Sequence, residues 1–274
     1  WRDFPGAEAN SCWHGIRVME NGNAEITNST IRDARIGIDV YGSGALISRN
    51  DITNIRGINN ATLPVEREAV GIRIQEAENR LTIRENTISS IFGGRGCDIC
   101  DEMNGGAAYG IVVNDTDNLS IKENYLHDIY GGEAGWWISN ASDGEDGAAG
   151  TSTENPDGEP GSDGNAGKNG GNGGTATAIH IISTEAHTHQ IIDNTIDNIY
   201  GGDANKGTRG GDGGRGGNGY TSPSSSDGPI DGGSGGAGGM GGSGGMGGNG
   251  GDAIGMRLAN KPCTIIGIDV TCIL

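Results

Sequence analysis

Residues 83–91 read Ile83-Arg84-Glu85-Asn86-Thr87-Ile88-Ser89-Ser90-Ile91, a pattern of the form Ile-x-x-Asn-x-Ile-x-x-Ile. It recurs as Ile47/Asn50/Ile52/Ile55, Ile121/Asn124/Leu126/Ile129 and Ile191/Asn194/Ile196/Ile199. Looser copies flank these. One has Ile26, Ile31 and Ala34 with Ser29 at the asparagine position, and the other has Ile265, Val270 and Ile273 with Ile268 there. Each copy follows a Gly-Ile or Ala-Ile start, at Gly15, Gly37, Gly71, Gly110, Ala178 and Ala253. Behind the starts, apolar residues alternate over short runs, as in Ile16-Arg17-Val18, Ile38-Asp39-Val40 and Ile72-Arg73-Ile74. A period of two over a few residues marks short strands, and the β-branched side chains suit them.

The first two starts lie 22 residues apart with no helical period between them. Three short strands and three turns fill that length, which is one coil of a parallel β-helix. Stacking the coils sets each isoleucine over the next and buries a continuous apolar ladder. Asn50, Asn86, Asn124 and Asn194 are expected to form a structural ladder in one turn. Asparagine tolerates the left-handed backbone, and its amide can bond both up and down a stack. The expected fold class is all-β, a parallel β-helix of about six coils in a single domain over residues 1–274. These residues resemble the right-handed parallel β-helix superfamily typified by pectate lyases and by NosD-type repeat proteins. The resemblance spans residues 13–130, 176–200 and 252–274. It implies the fold and says little of function, because that superfamily holds lyases, epimerases, hydrolases, adhesins and structural proteins.

Glycine supplies the second pattern. Gly158 to Gly170 repeats Gly-x-y, and Gly232 to Gly251 repeats Gly-Gly-x. A flexible linker needs no such period, whereas three residues per turn is the polyproline II geometry. With 55 glycines but only 7 prolines, a collagen triple helix does not fit. Polyglycine II helices packed side by side fit better. The glycine-rich stretches interrupt the coils at one place, starting at Gly57, Gly93, Gly131 and Gly201, so stacked coils send them out of one corner. Insertions 131–176 and 201–251 are read as polyglycine-II hairpins forming a second layer, with tips near Pro156 and Pro223. At about 3.1 Å per residue the longest arm spans roughly 60 Å. Gly-Gly-x arms have two bare faces and are expected at the centre of that layer, with the Gly-x-y return arm of the first hairpin at an edge. Met240, Met246 and Ala237 are expected to form a contact face against the solenoid or another subunit. The glycine repeats resemble those of phage tail-fibre adhesins and of the snow flea antifreeze protein.

A net charge of −18 excludes the basic footprint of a nucleic-acid binder and disfavours anionic lipid. No apolar run is long enough for membrane insertion. The chain starts at Trp1 without methionine or signal peptide, as a mature or trimmed product does. Cys97 and Cys100 lie in a Cys-x-x-Cys spacing read as a local loop disulfide. A second such pair is missing, so a four-thiolate zinc site is poorly supported. Cys12, Cys263 and Cys272 lie near the two ends of the chain. Asn28, Asn60, Asn114, Asn118 and Asn140 open Asn-x-Ser/Thr sequons, a signature of secreted glycoproteins.

Metal candidates are weak. Asp115 and Asp117 could ligate calcium, and Glu185, His187 and His189 share one strand face at alternate positions. Gly247–Gly255 fits a calcium nonapeptide once, without the stacked copies such sites need. No cofactor other than calcium is implied. The outward positions of the first strand read Arg17, Asp39, Arg73, Val112, His180 and Gly255, which gathers no carboxylates beside a base. An enzyme is therefore not expected. The leading expectation is an extracellular structural protein whose subunits stack head to tail, with Cys12 of one subunit near Cys263 or Cys272 of the next. An adhesin binding a cell-surface glycan through the Tyr220–Ser226 tip is the alternative. Ice binding and polysaccharide cleavage rank lower: Glu159, Lys168, Asp212 and Arg215 roughen any ice-binding face.

Overall fold

The structure is a computed structural model describing residues 12–19, 23–42, 44–77, 80–98, 103–116, 118–136, 140–151, 157–182, 189–220, 234–259 and 263–273. Its regular elements are strands, apart from one short helix, α1 (Pro64–Arg67). The first coil holds β1 (Cys12–Val18), β2 (Ala24–Thr27) and the start of β3 (Thr30–Tyr41). The second continues in β3 and adds β4 (Ala45–Ser48) and β5 (Asp51–Arg56). The third is β6 (Ala69–Gln75), β7 (Leu81–Arg84) and β8 (Thr87–Phe92), and the fourth is β9 (Ala108–Asn114), β10 (Leu119–Lys122) and β11 (Tyr125–Tyr130). The fifth is β12 (Ala176–Ile182), β13 (His189–Ile192) and β14 (Thr195–Tyr200), and the sixth is β15 (Ala253–Ala259), β16 (Cys263–Ile266) and β17 (Asp269–Ile273).

All pairings are parallel, and each strand pairs with its counterpart one coil away. The first stack runs β1-β3-β6-β9-β12-β15, the middle stack β2-β4-β7-β10-β13-β16 and the third β3-β5-β8-β11-β14-β17. The long strand β3 belongs to two stacks and joins them. Ile47, Ile83, Ile121 and Ile191 pair in register, as do Ile52, Ile88, Leu126 and Ile196; all are 0% exposed. Each such side chain contributes about 1.5–3 kcal/mol by leaving water.

Backbone conformation explains why the pattern spells Ile-x-x-Ile where a plain pleat would give Ile-x-Ile. Asp33, Asn54, Ser90, Asp128 and Asn198 precede the second apolar residue and have φ between 54° and 58°. One left-handed residue resets the alternation, so both flanking side chains face the core. A second left-handed row, Asn28, Arg49, Glu85, Glu123, Asp193 and Gly267 with φ of 50–59°, precedes each asparagine-ladder position. This corrects the sequence reading, which assigned the left-handed backbone to the asparagines. Their own N–H groups must run along the stack, as described below, so the residue before them makes the bend.

The last coil is also shifted. Ala253 pairs with Ala176, which sets Arg257 against His180 in place of Gly255. A slip of two residues keeps every side chain on its own face, so alternation alone does not detect it.

Contacts divide the chain into two compact units, one of residues 1–136, 171–205 and 249–274 and one of residues 137–170 and 206–248. In the first unit, the bases of the insertions alternate outgoing and returning segments. Gly94 donates to the Arg67 carbonyl, Gly106 to Gly94, Gly132 to Gly106, Gly174 to Gly132, Gly202 to Gly174 and Gly251 to Gly202, at 2.6–2.8 Å.

The second unit has four arms without helix or strand: 140–151, 157–170, 206–220 and 234–248. Amides at every third residue bond them together. Gly144 donates to Asp212, Ser162 to Glu145, Gly161 to Ala237, Gly214 to Ser162 and Gly239 to Gly214, at 2.7–2.9 Å. Arm 157–170 bonds to all three others, whereas arm 234–248 bonds to two. The expected order fails for two arms, since the Gly-x-y arm is central and the Gly-Gly-x arm 234–248 is an edge, whereas the Gly-Gly-x arm 206–220 bonds to all three others, as expected. Glycine count misleads because Glu159, Ser162 and Asn165 bond through their own N–H groups, and the Ser162 and Asn165 side chains add bonds to arm 140–151.

Candidate functional site

The asparagine ladder forms as the sequence predicts. The Oδ1 of Asn86 accepts from both the N–H and the Nδ2 of Asn50, each at 3.0 Å. Asn124 receives Asn86 in the same way, and Asn194 receives Asn124, at 2.9–3.0 Å. Each Nδ2 also reaches an isoleucine carbonyl of the preceding coil: Asn50 to Ile26, Asn86 to Ile47, Asn124 to Ile83 and Asn194 to Ile121. The four asparagines are 1–2% exposed with their amides satisfied, so the ladder is structural. A second ladder, missed in the sequence, joins the returning segments. Asn104 Oδ1 accepts the Asn172 N–H at 2.9 Å, and Asn172 Oδ1 accepts that of Asn249 at 2.8 Å. Its signal was present, because Asn-Gly-Gly occurs just ahead of β9, β12 and β15.

The richest cluster of charge lies on the outward face of the first stack. Asp39 is 0% exposed although it points outward, because cationic side chains cover it. Arg73 binds it with both Nε and an NH group at 2.8 and 2.9 Å. Gln75 reaches it at 3.3 Å, His14 Nε2 at 3.1 Å and Arg17 Nε at 3.4 Å. Burial pushes the Asp39 carboxyl up, but Arg73, with help from His14 and Gln75, outweighs burial and holds it below the usual range. Burial, reinforced by the surrounding arginines, lowers His14 in spite of Asp39. Beside this cluster Arg35 sits 4.3 Å over the Trp13 ring and donates to the Val65 carbonyl at 2.6 Å.

Further along the same face, Tyr109 stacks on His180 with ring centres 5.7 Å apart. Burial, helped by the charge of Glu68, raises the Tyr109 hydroxyl. Burial also raises the Glu68 carboxyl and lowers His180. Glu68 escaped the sequence reading because it lies in an insertion, outside the strand rows. Asp39 is committed to ion pairs. Burial favours the neutral forms of both Glu68 and His180.

The remaining candidates scatter. His189 is 2% exposed in the position equivalent to Leu119, facing the core where no metal face is open. Asp115 occupies a turn with φ of 46°. Asp117, Glu185 and His187 lie outside the described residues, and among the described ones no cluster of three metal-ligating side chains occurs. Asn28, Asn60, Asn118 and Asn140 are exposed, and Asn114 is half-buried at the end of β9. Cys97 is 2% exposed, while Cys100 lies outside the described residues. Cys12 is in the first coil, and Cys263 and Cys272 are in the sixth. Met240 and Met246 are 73% and 72% exposed and Ala237 is exposed, so this face is uncovered among the described residues. The Tyr220–Ser226 tip, apart from Tyr220 itself, lies outside the described residues.

The comparison with curated proteins and the comparison with solved structures return no match. A family model described as a right-handed beta helix region matches residues 8–155. That match covers more than half of the chain, and the coils of parallel strands agree with it: the chain belongs to the right-handed β-helix family.

Proposed function

We propose that this chain is a non-enzymatic, extracellular structural protein whose β-helices stack head to tail into a filament. The exposed apolar row of the sixth coil carries this reading. Ile265, in register with the buried Ile191, is 44% exposed, and its neighbour Ile266 is 55% exposed. Strands β15, β16 and β17 pair on one side only among the described residues, as do β1 and β2 at the other end. An unpaired edge over an exposed apolar ladder is a template for another coil. A contact between the unlike faces of the first and sixth coils is heterologous, and such a contact propagates.

Cys12 in the first coil and Cys263 or Cys272 in the last would link successive subunits of such a stack. The four exposed sequons support an extracellular setting. A loop disulfide between the buried Cys97 and Cys100 would fit the same setting. The glycine arms are read as a polyglycine-II layer, on the strength of their period-three amide bonds. Electron microscopy of the protein under oxidising conditions is expected to show fibres, and Ile265→Asp to abolish them. Monomers alone from the wild-type chain overturn the reading.

A second reading, polysaccharide cleavage, is favoured by one observation, the Glu68, Tyr109 and His180 group. Release of unsaturated oligomers from uronate polymers, abolished by both Glu68→Gln and His180→Ala, would establish it in place of the structural role.

A further inference from the structure

The two edges of the glycine-arm unit differ. Arm 140–151 is closed by side chains. Asp143 and Asp146 fold back to accept the N–H groups of Asp212 and Arg215, each at 2.7 Å, and Glu145 adds further charge. Arm 234–248 carries no charged residue at all in a chain of net charge −18.

Its glycines form two rows with different surroundings. A Cβ on Gly236, Gly239, Gly242 or Gly245 would collide with the carbonyls of Glu159, Ser162, Asn165 and Lys168, so packing within the unit demands glycine there. A Cβ on Gly235, Gly238, Gly241 or Gly244 would meet its nearest atom at 3.5–3.8 Å, an ordinary contact. Nothing among the described residues requires glycine in this second row, and glycine loses more entropy on ordering than any other residue. The equivalent row of the neighbouring arm shows what such a row does. Gly158, Gly161, Gly164 and Gly167 donate their N–H groups to the carbonyls of Ser234, Ala237, Met240 and Ser243 at 2.7–2.9 Å. Gly235, Gly238, Gly241 and Gly244 are exposed, and among the described residues their N–H groups donate to nothing and their carbonyls accept nothing, whereas the carbonyls of Gly236, Gly239, Gly242 and Gly245 lie against Gly216, Gly213, Gly210 and Gly207 inside the unit. Met240 and Met246 flank them, exposed.

From these observations we infer that arm 234–248 is a docking edge for the same arm of a second copy, the two arms lying side by side about a two-fold axis. The edge offers both donors and acceptors, so it complements itself, as a two-fold contact requires. It is also the one arm without charge, where two acidic chains approach with least repulsion. A strip about 45 Å long and 10 Å wide buries on the order of 900 Å² in total, the size of a weak and reversible contact. This lateral pairing goes beyond end-to-end stacking and does not depend on it.

The test uses the full chain carrying Ile265→Asp, so that stacking through the last coil is blocked, in sedimentation equilibrium over a concentration series. A monomer–dimer equilibrium is expected. Adding Gly235→Ala, Gly238→Ala, Gly241→Ala and Gly244→Ala is expected to abolish the dimer while the melting temperature holds or rises. Met240→Glu with Met246→Glu, which alters no backbone approach, is expected to abolish it as well. A single-chain mass at every concentration before these changes, or a dimer that survives both sets, overturns the proposal.

Discussion

The solenoid and the glycine arms solve the same entropic problem with opposite materials. In the coils, order comes from side chains: isoleucines at 0% exposure and amides stacked over amides. In the arms, order comes from the lack of side chains, which lets one backbone reach another at 2.7–2.9 Å. Fixing a residue costs about 1–2 kcal/mol of backbone entropy whichever way it is held. The coils offset that through burial, whereas the arms have only hydrogen bonds of roughly 0.5–1.5 kcal/mol net each. The contrast teaches that an arm tolerates almost any side chain on its open face and none on its packed face, while a coil demands large apolar side chains on its packed face.

The largest expected break is in the coils. Ile88→Ala should destabilise the chain by about 2–5 kcal/mol, read by denaturant unfolding, because coils on both sides hold the cavity open. Asn86→Ala should cost about 2–4 kcal/mol, since it leaves the buried Asn50 N–H without its acceptor and removes one bond each from the Asn50 amide, the Ile47 carbonyl and the Asn124 oxygen. An effect below 1 kcal/mol would show that the ladder is ornamental.

In the arms, Gly214→Ala puts a methyl into the Glu145 carbonyl. It should cost about 1–3 kcal/mol, seen as faster amide exchange in residues 140–170 and 206–248 with the coils unchanged. Gly238→Ala, on the open row, should instead be neutral or stabilise by about 0.4–1 kcal/mol. Equal effects at these two positions would erase the distinction between packed and open rows.

The smallest effect is acid sensitivity of the coils. His14 and His180 have pKa values below 6.5, so the unfolded chain binds more protons than the folded one as pH falls. Their contribution is complete above about 6.5 and is lost as pH drops through the folded values. Asp39, held below 3.8, adds a second loss at lower pH, again complete above the unfolded value. Melting temperature against pH should fall in two stages, and His14→Gln should flatten the first.

Much of this was legible in the sequence. The isoleucine and asparagine positions announced the coils because stacking repeats the same demand at the same place. The bends were less legible, since Arg49, Glu85, Glu123 and Asp193 share a conformation but no side-chain chemistry. At the other bend, Asp33, Asn54, Ser90, Asp128 and Asn198 did leave a polar signature. Which arm is central was misread, because composition counts bare faces without saying which backbone groups bond through them. The Glu68 neighbourhood was illegible, because a residue outside the repeat has no register until the insertion folds.

The bonded relay from Arg67 through Gly94, Gly106, Gly132, Gly174 and Gly202 to Gly251 has a further consequence. Each coil arrives with a tail whose base already fits the base before it. Duplicating one coil together with its tail would therefore lengthen core and relay in a single genetic event, with no new surface to invent. Length in this protein is a quantity that copying errors can adjust one tooth at a time, as a zipper is lengthened.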